Sequence, residues 1–321
     1  TCGDNPTNRV EFQIKGGTAQ LGKANKVKPL DSSTINCEGS VGRSGARPIS
    51  EIRPPSLSGM NLRANLAKLP QYKDLIWTLS VHRIKVRYKQ SVLGVFWAIL
   101  QPISMMLIFT FIFSLIAKMP SEGLPYAIFA YTALLPWNYF STAVSNATTS
   151  LVRHAQFVTK VYFPREILPI TYIVAALFDF GVAATLLACL MIYYHVRLTI
   201  NALYAVPIVL ILSCFALAIS LLFSATQVRF RDIGVAVPLL LQLWLFATPV
   251  IYPLSAVPAR LRPLYVLNPM VGIIDGFRQA ILQGAAPDSR LLLFSAVVSI
   301  TLLVASYLYF KLVEATMADF V

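Results

Sequence analysis

Long charge-free apolar windows alternate with short charged segments along most of this chain, from about residue 93 onward. A helix of roughly 20 apolar residues crosses the hydrocarbon core of a bilayer. On that measure six windows predict membrane-spanning helices: 93–117, 126–147, 168–193, 203–226, 233–252 and 291–310. The pattern therefore predicts an all-α integral membrane protein, with a transmembrane domain at residues 90–321.

A seventh apolar region, 263–285, is too short and too polar to span a bilayer alone. It is broken by Asn268-Pro269 and carries Asp275 and Arg278. Asn at an N-cap and Pro at the first helical position favour a new helix starting at Pro269. Asp275 and Arg278 are spaced to pair across one helical turn. We expect two short re-entrant helices before the last span.

The segment 72–89 predicts an amphipathic helix that lies at the membrane interface. On a 3.6-residue period its apolar side chains form two stripes with cations between them, and Trp77 and Tyr88 are typical of the water edge. Two stripes favour contact with both lipid and the protein's own spans. This helix belongs to a predicted cytoplasmic segment, 47–89.

The first 46 residues are rich in Gly, Ser, Asn and Lys and predict a disordered extension. Within them, Gly17–Ala24 has the spacing of a phosphate-binding loop. However, Ala24 stands where Ser or Thr would hold Mg²⁺, and no βαβ pattern follows. We therefore expect no ATP hydrolysis by this chain.

Composition agrees with the window pattern. Apolar residues make up 56% and charged residues 13% of the chain, whereas a soluble domain carries about 25% charge. The net charge of +13 lies in short clusters between apolar runs, so nucleic-acid binding is not expected.

Thirteen Lys and Arg side chains flank one side of the six predicted spans and six flank the other. Because basic loops stay inside, both termini are predicted to be cytoplasmic.

The first predicted span carries a polar, kink-prone turn at Gln101, Pro102 and Ser104. A proline inside a helix frees a backbone carbonyl, which lipid tolerates only if other groups satisfy it. Two interpretations stay open. This turn faces a wet lumen, or Gln101 and Ser104 form hydrogen bonds across a helix–helix interface.

Asp179 is the one acid deep within a predicted span. A carboxylate there is costly and usually faces a partner inside the bundle. It is either a proton site, as in a secondary transporter, or a structural group. In the structural case it is protonated, or it is hydrogen-bonded to a hydroxyl such as that of Tyr172 or one on a neighbouring span. Under the structural interpretation, Asp179→Asn leaves transport largely intact.

Six strings, in this order and spacing, resemble the membrane subunit of type-2 ABC exporters, most closely the branch that exports O-antigen, capsule and teichoic acid. They are RYKQSVLGVFWAILQP (87–102), VYFPREILPI (161–170), VRFRDI (228–233), LWLFATPVIYP (243–253), LNPM (267–270) and VEATMADFV (313–321). The resemblance implies six spans, an interface helix, a cytoplasmic coupling helix, pairing of two copies and docking of two separate ATPase subunits.

The resemblance also implies roles for particular residues. Energy would enter through the first cytoplasmic loop, where Ser150 can cap a helix over 151–158. The coupling residues there are Leu151, Val152, Arg153, Phe157, Lys160 and Arg165. In that family spans one, two and five line the transport path, and aromatic faces stack on sugar rings. The path is therefore assigned to the aromatic residues Trp97, Phe109, Tyr131, Trp137 and Trp244, together with Gln101. The alternative for each aromatic residue is a lipid-facing or interfacial position. An outer gate is assigned to Asn268, Pro269, Asp275 and Arg278, and a static external cap is the alternative for the same residues.

These observations predict a bacterial inner-membrane permease, homodimeric, that moves a lipid-linked polysaccharide outward and contacts membrane lipids. Its ATP and Mg²⁺ would lie on the partner ATPase, and this chain would bind no cofactor. A drug or small-lipid exporter of the same fold is an alternative, and a proton-coupled flippase relying on Asp179 is another. A membrane-embedded transferase is disfavoured, because the three histidines lie far apart and no suitable carboxylate pair is found.

Overall fold

The computed structural model describes residues 69–89, 96–119, 121, 123–156, 163–314 and 317, and every regular element within them is helical. The predictions for residues 1–46, including Gly17–Ala24, lie outside the described residues. Phe157 and Lys160 also lie outside them.

Six helices overlap the six predicted windows, and the predicted interface helix lies ahead of them in the chain. The longer helices are α1 (Lys73–Lys89), α2 (Phe96–Phe109), α3 (Tyr126–Thr148), α5 (Ile167–Tyr193), α6 (Ala205–Arg229), α7 (Ile233–Phe246) and α10 (Ser289–Glu314). The shorter ones are α4 (Ser150–Arg153), α8 (Arg262–Val266) and α9 (Pro269–Arg278). Turns of π-helix extend α2 over Thr110–Ile116 and α9 over Gln279–Gln283. Three-residue-per-turn helices cover Leu69–Tyr72, Ile200–Tyr204 and Leu254–Ala256.

Four helical segments are long and apolar enough to cross a membrane. They are Ile99–Ile116, Ile167–Tyr193, Ile200–Arg229 and Ser289–Glu314. At 1.5 Å per residue, the 27 residues of α5 extend about 40 Å, which exceeds a hydrocarbon core of about 30 Å. Helix α7 is apolar but has only 14 residues.

Helix α3 has 23 residues but is less apolar than these four segments. Its position explains this difference, since it packs against α2, α5, α6, α7 and α9. Seventeen of its residues are buried within the protein. A helix covered by other helices needs little lipid-facing apolar surface.

The prediction that a helix continues from 233 to 252 is wrong at its end. Helix α7 stops at Phe246, and residues 247–250 form turns. Pro249 lies just beyond this end. Proline lacks a backbone N–H and disfavours helical geometry at the residue before it, so the helix ends ahead of it.

Helix α1 lies against α5, with Ser80 buried at the centre of its contact face. The Ser80 hydroxyl donates to Ile76 O at 2.7 Å and lies 3.5 Å from Thr171 O on α5. Trp77 projects away and is 68% exposed. The predicted helix is confirmed. Its contact face, however, is centred on a small polar residue rather than on either apolar stripe.

Candidate functional site

A cavity of about 650 Å³ lies between α1, α2, α3, α5 and α7. The apolar and aromatic part of its wall includes Trp97, Met105, Trp137 and Phe180. Neutral polar side chains supply most of the remainder: Tyr88, Gln101, Asn138, Tyr139, Ser141, Thr142, Ser145, Asn146 and Gln242. Arg87 and Asp179 are the charged residues of the lining within the described part of the chain.

The polar wall of the cavity comes mainly from one face of α3. The residues of α3 that are not buried are Ala127 and five polar ones, Asn138, Ser141, Thr142, Ser145 and Asn146. These five recur at three- and four-residue intervals, so they form one stripe along the helix. All five line the cavity. We call them the α3 polar stripe. This stripe was not among the predicted site residues, although polar residues at helical spacing in an apolar window are a readable signal.

The predicted transport-path residues divide into two groups. Trp97, Gln101 and Trp137 line the cavity. Phe109 packs edge-on against Phe113, with ring centroids 5.9 Å apart, outside the lining.

Of the other two path residues, Tyr131 lies in the core and Trp244 is half-buried against it. Tyr131 is fully buried and donates a hydrogen bond to Ala183 O at 2.8 Å. Trp244 packs edge-on against Phe140 and Phe215, with centroids 5.5 and 5.9 Å away. Phe140 and Phe215 are themselves stacked at 5.3 Å. This aromatic cluster joins α3, α6 and α7 beside the cavity.

The kink-prone turn of α2 faces the cavity. Gln101 and Pro102 contribute to the lining. The Ser104 hydroxyl donates to Leu100 O in its own helix at 2.9 Å rather than across an interface. The lumen-facing interpretation of this turn therefore agrees with the positions of Gln101 and Pro102.

Asp179 is bonded to two consecutive residues of α1. Arg87 forms an ion pair with its Oδ2, and the Tyr88 hydroxyl donates to its Oδ1. Burial and the neighbouring carboxylate raise the pKa of Tyr88 to about 12, so the phenol stays a proton donor. The expected hydroxyl partner of Asp179 is therefore Tyr88 on α1 and not Tyr172, which contacts a second group on α1.

That second group is Arg83, whose guanidinium lies 3.6 Å above the Tyr172 ring. His154, just after α4, places Nε2 3.2 Å from both Arg83 Nη1 and the Tyr172 hydroxyl. Because arginine can only donate, His154 Nε2 accepts and carries no proton in this arrangement. Burial lowers the pKa of His154 below its ordinary 6.5, and the charges of Arg83 and Arg153 lower it further.

The predicted coupling residues differ in exposure. Leu151 is fully buried and Arg153 is exposed, with Val152 between these extremes. The expectation that Ser150 caps this helix is wrong: α4 begins at Ser150, and Thr149 before it makes no side-chain cap. Thr149 keeps right-handed helical geometry, so the chain runs on from α3 without the extended residue that a cap requires.

Arg165, the last predicted coupling residue, is bound to the end of α10. Its guanidinium donates to Glu314 O, and its backbone N–H lies 3.4 Å from Glu314 Oε1. Next to it, Lys311 Nζ lies 2.8 Å from both Glu166 Oε1 and Glu314 Oε2. Glu166 is 2% exposed. These groups fasten the start of α5 to α10.

The predicted outer-gate residues belong to α9. Asn268 Oδ1 accepts from Met270 N at 3.1 Å and Pro269 is the first helical residue, so the predicted N-cap is confirmed. Arg278 is 2% exposed, lies 3.8 Å above the Phe129 ring and donates to Val250 O at 3.1 Å. Asp275 accepts from Gln279 Nε2 at 2.8 Å. The pairing of Asp275 with Arg278 stays a prediction.

Comparison with known proteins decides the family. A profile described as "ABC-2 type transporter" matches residues 74–282, more than half of the chain. The chain belongs to this family. The match begins in α1 and ends in the π-helical turn after α9, so it includes every helix that lines the cavity.

Individual ABC-2 relatives are similar over much of this length. The chain is 33% identical over 246 residues to a Myxococcus xanthus protein named "O-antigen export system permease protein RfbA". That alignment covers 76% of this chain and 94% of the relative. A Klebsiella pneumoniae protein of the same name is 30% identical over 161 residues, which cover 50% of this chain and 61% of that protein.

Proposed function

We propose that this chain is the permease subunit of an ABC exporter that moves a lipid-linked polysaccharide outward across a bacterial inner membrane. The observation that carries the proposal is the cavity, in which Trp97 and Trp137 lie among neutral hydroxyl and amide groups. Aromatic faces pack on the C–H surfaces of sugar rings, while amides and hydroxyls exchange hydrogen bonds with sugar hydroxyls. Family membership and the names of the relatives support the same function.

In the membrane, α2, α3, α5, α6, α7 and α10 are the six proposed spans. Helices α8 and α9 form the short pair before the last span, on the outer side. Helix α1 lies at the inner interface, where the exposed Trp77 suits the lipid–water boundary. Both termini are then cytoplasmic, in keeping with the thirteen basic side chains assigned to that side.

The motor resides on other subunits. Two copies of this chain pair, and two ABC ATPase subunits that hold ATP and Mg²⁺ dock on the cytoplasmic loop between α3 and α5. Exposed Arg153 is suited to meet carboxylates on that partner, whereas Leu151 is buried against the protein's own helices. This chain performs no bond chemistry in the cycle.

An export assay tests the proposal. The chain and its ATPase are expressed in a strain that lacks its own polysaccharide permease, and glycan at the cell surface is measured. Surface glycan that depends on both subunits is expected. Intracellular glycan that stays inside although both subunits are in the membrane would refute the proposal.

Arg153→Glu tests the docking loop. It should reduce recovery of the ATPase with the purified permease and lower export in proportion. Arg197→Glu is the matched control, because Arg197 is an exposed arginine in the connection between α5 and α6, on the proposed outer side. Equal ATPase recovery from both variants would exclude Arg153 from the docking surface.

A further inference from the structure

The charges in the cavity lining balance each other. Its two charged residues in the described part of the chain, Arg87 and Asp179, are paired with each other. The Tyr88 hydroxyl takes the second oxygen of Asp179. The site therefore offers an incoming ligand neither an uncompensated cation nor an uncompensated anion.

Several neutral polar groups of the lining, in contrast, have no hydrogen-bond partner among the described residues. The side chains of Ser145, Asn146 and Gln242 make no hydrogen bond within the described residues. Asn138 Nδ2 is buried and likewise has no acceptor among those residues. A buried donor without an acceptor costs free energy until a ligand satisfies it. Amides that both donate and accept match sugar hydroxyls, which also do both.

We propose that this cavity selects uncharged, hydroxyl-rich glycans and discriminates against acidic ones such as polymers of uronic acid. The inference rests on the proposed export function and narrows its substrate class. The α3 polar stripe and Gln242, which face the cavity from α3 and α7, are the specificity-determining residues.

The physical reason is the cost of desolvation. A carboxylate that enters this cavity leaves water and gains no compensating cation, because Arg87 is already neutralised by Asp179. If the ligand carboxylate paired with Arg87 instead, Asp179 would lose its counter-charge, so the number of unpaired carboxylates would stay the same. A neutral sugar exchanges water hydrogen bonds for amide and hydroxyl ones at little cost.

Binding to the full chain in lipid nanodiscs tests this selectivity. Maltoheptaose is the neutral probe and a galacturonate heptamer is the acidic one. The readout is intrinsic tryptophan fluorescence, since two of the four tryptophans, Trp97 and Trp137, lie in the cavity wall. We expect the neutral probe to bind more tightly by about tenfold or more, since the acidic one buries uncompensated charge. Equal or tighter binding of the acidic probe would overturn the inference, and so would absence of binding by both.

Charge variants sharpen the test. Asn146→Arg on α3 and Gln242→Arg on α7 should each raise affinity for the acidic probe, and two variants on different helices guard against a folding defect in one. His195→Arg adds the same charge at an exposed turn outside the cavity and should change neither affinity. Unchanged selectivity in both cavity variants would overturn the assignment of these residues. The export assay remains independent, because a permease that carries acidic glycans would still export.

Discussion

Arg87 of α1 and Asp179 of α5 form an ion pair at the wall of the cavity. The sole acid deep in a predicted span thus receives its counter-charge from the interface helix, which lies ahead of every span in the chain. Arg83 makes a second polar contact of α1 with α5, over Tyr172. Helix α1 is consequently fixed to the helical bundle by specific side chains as well as by apolar contact.

Asp179→Asn should leave export largely intact, and export should not depend on a proton gradient. The substitution removes the charge that balances Arg87, and because Arg87 is 41% exposed the loss of stability should be only about 1 kcal/mol. Thermal unfolding in detergent measures the loss, and adding Arg87→Gln should recover part of it. Export that stops in Asp179→Asn, and that in the unmodified protein follows an imposed proton gradient, would instead identify a proton-coupled carrier.

The contact between His154 and Arg83 should weaken on acidification. The folded protein holds the pKa of His154 below 6.5, so the unfolded chain binds more protons near that pH and stability falls as pH drops through 6.5 toward the lower folded pKa. Thermal unfolding between pH 8 and about pH 6 measures the loss. His154→Gln, which stays neutral, should reduce this dependence. His82→Gln, at an exposed histidine on α1, is the matched control and should retain it.

Lys311→Met should destabilise the protein by about 3 kcal/mol, because it leaves the carboxylate of Glu166 buried without its cation. Adding Glu166→Gln should restore most of the loss, since no uncompensated buried charge then remains at position 166. Chemical denaturation in detergent measures both variants. A double variant no more stable than Lys311→Met would show that the lysine acts through packing instead.

Gly272→Ala should loosen the packing of α9 on α10. A Cβ at this position would lie 2.4 Å from Ser295 Oγ and 2.6 Å from Leu291 O, so the helices must separate at a cost of about 2 kcal/mol. Gly181→Ala is the control, because its Cβ would meet nothing within 4 Å on the surface of α5. It should be neutral or stabilise the helix by up to about 1 kcal/mol. Equal unfolding temperatures for both variants would contradict the close approach of α9 to α10.

The sequence predicts the positions of helices well where local chemistry decides them. Charge-free windows locate the long helices, and Asn268 with Pro269 marks the start of α9. Two local predictions were wrong. Ser150 does not cap a helix, because the chain continues in helical geometry from α3 through Thr149. Helix α7 ends at Phe246, ahead of Pro249, although that proline is itself a local signal for a helix end.

The candidate site is less predictable, since it depends on contacts between residues far apart in sequence. Asp179 was an evident anomaly, but its partners lie about ninety residues away, on α1. Of the aromatic residues assigned to the path, Trp97 and Trp137 line the cavity. Trp244 is a tryptophan in a similar apolar window, but it packs half-buried against Phe140 and Phe215 outside the lining. The spacing of the α3 polar stripe can be read from the sequence, but the cavity-facing residues of the other helices follow only from their packing around α3.

The burial of α3 constrains how this protein can be made. α3 is synthesised before α5, α6 and α7, three of the helices that cover it, and its uncovered face carries amides and hydroxyls instead of aliphatic groups. Translation ended after Thr148 should therefore leave this segment poorly retained in the bilayer, whereas a chain extended through α7 should hold it. Stable membrane insertion of α3 then depends on the synthesis of α5, α6 and α7.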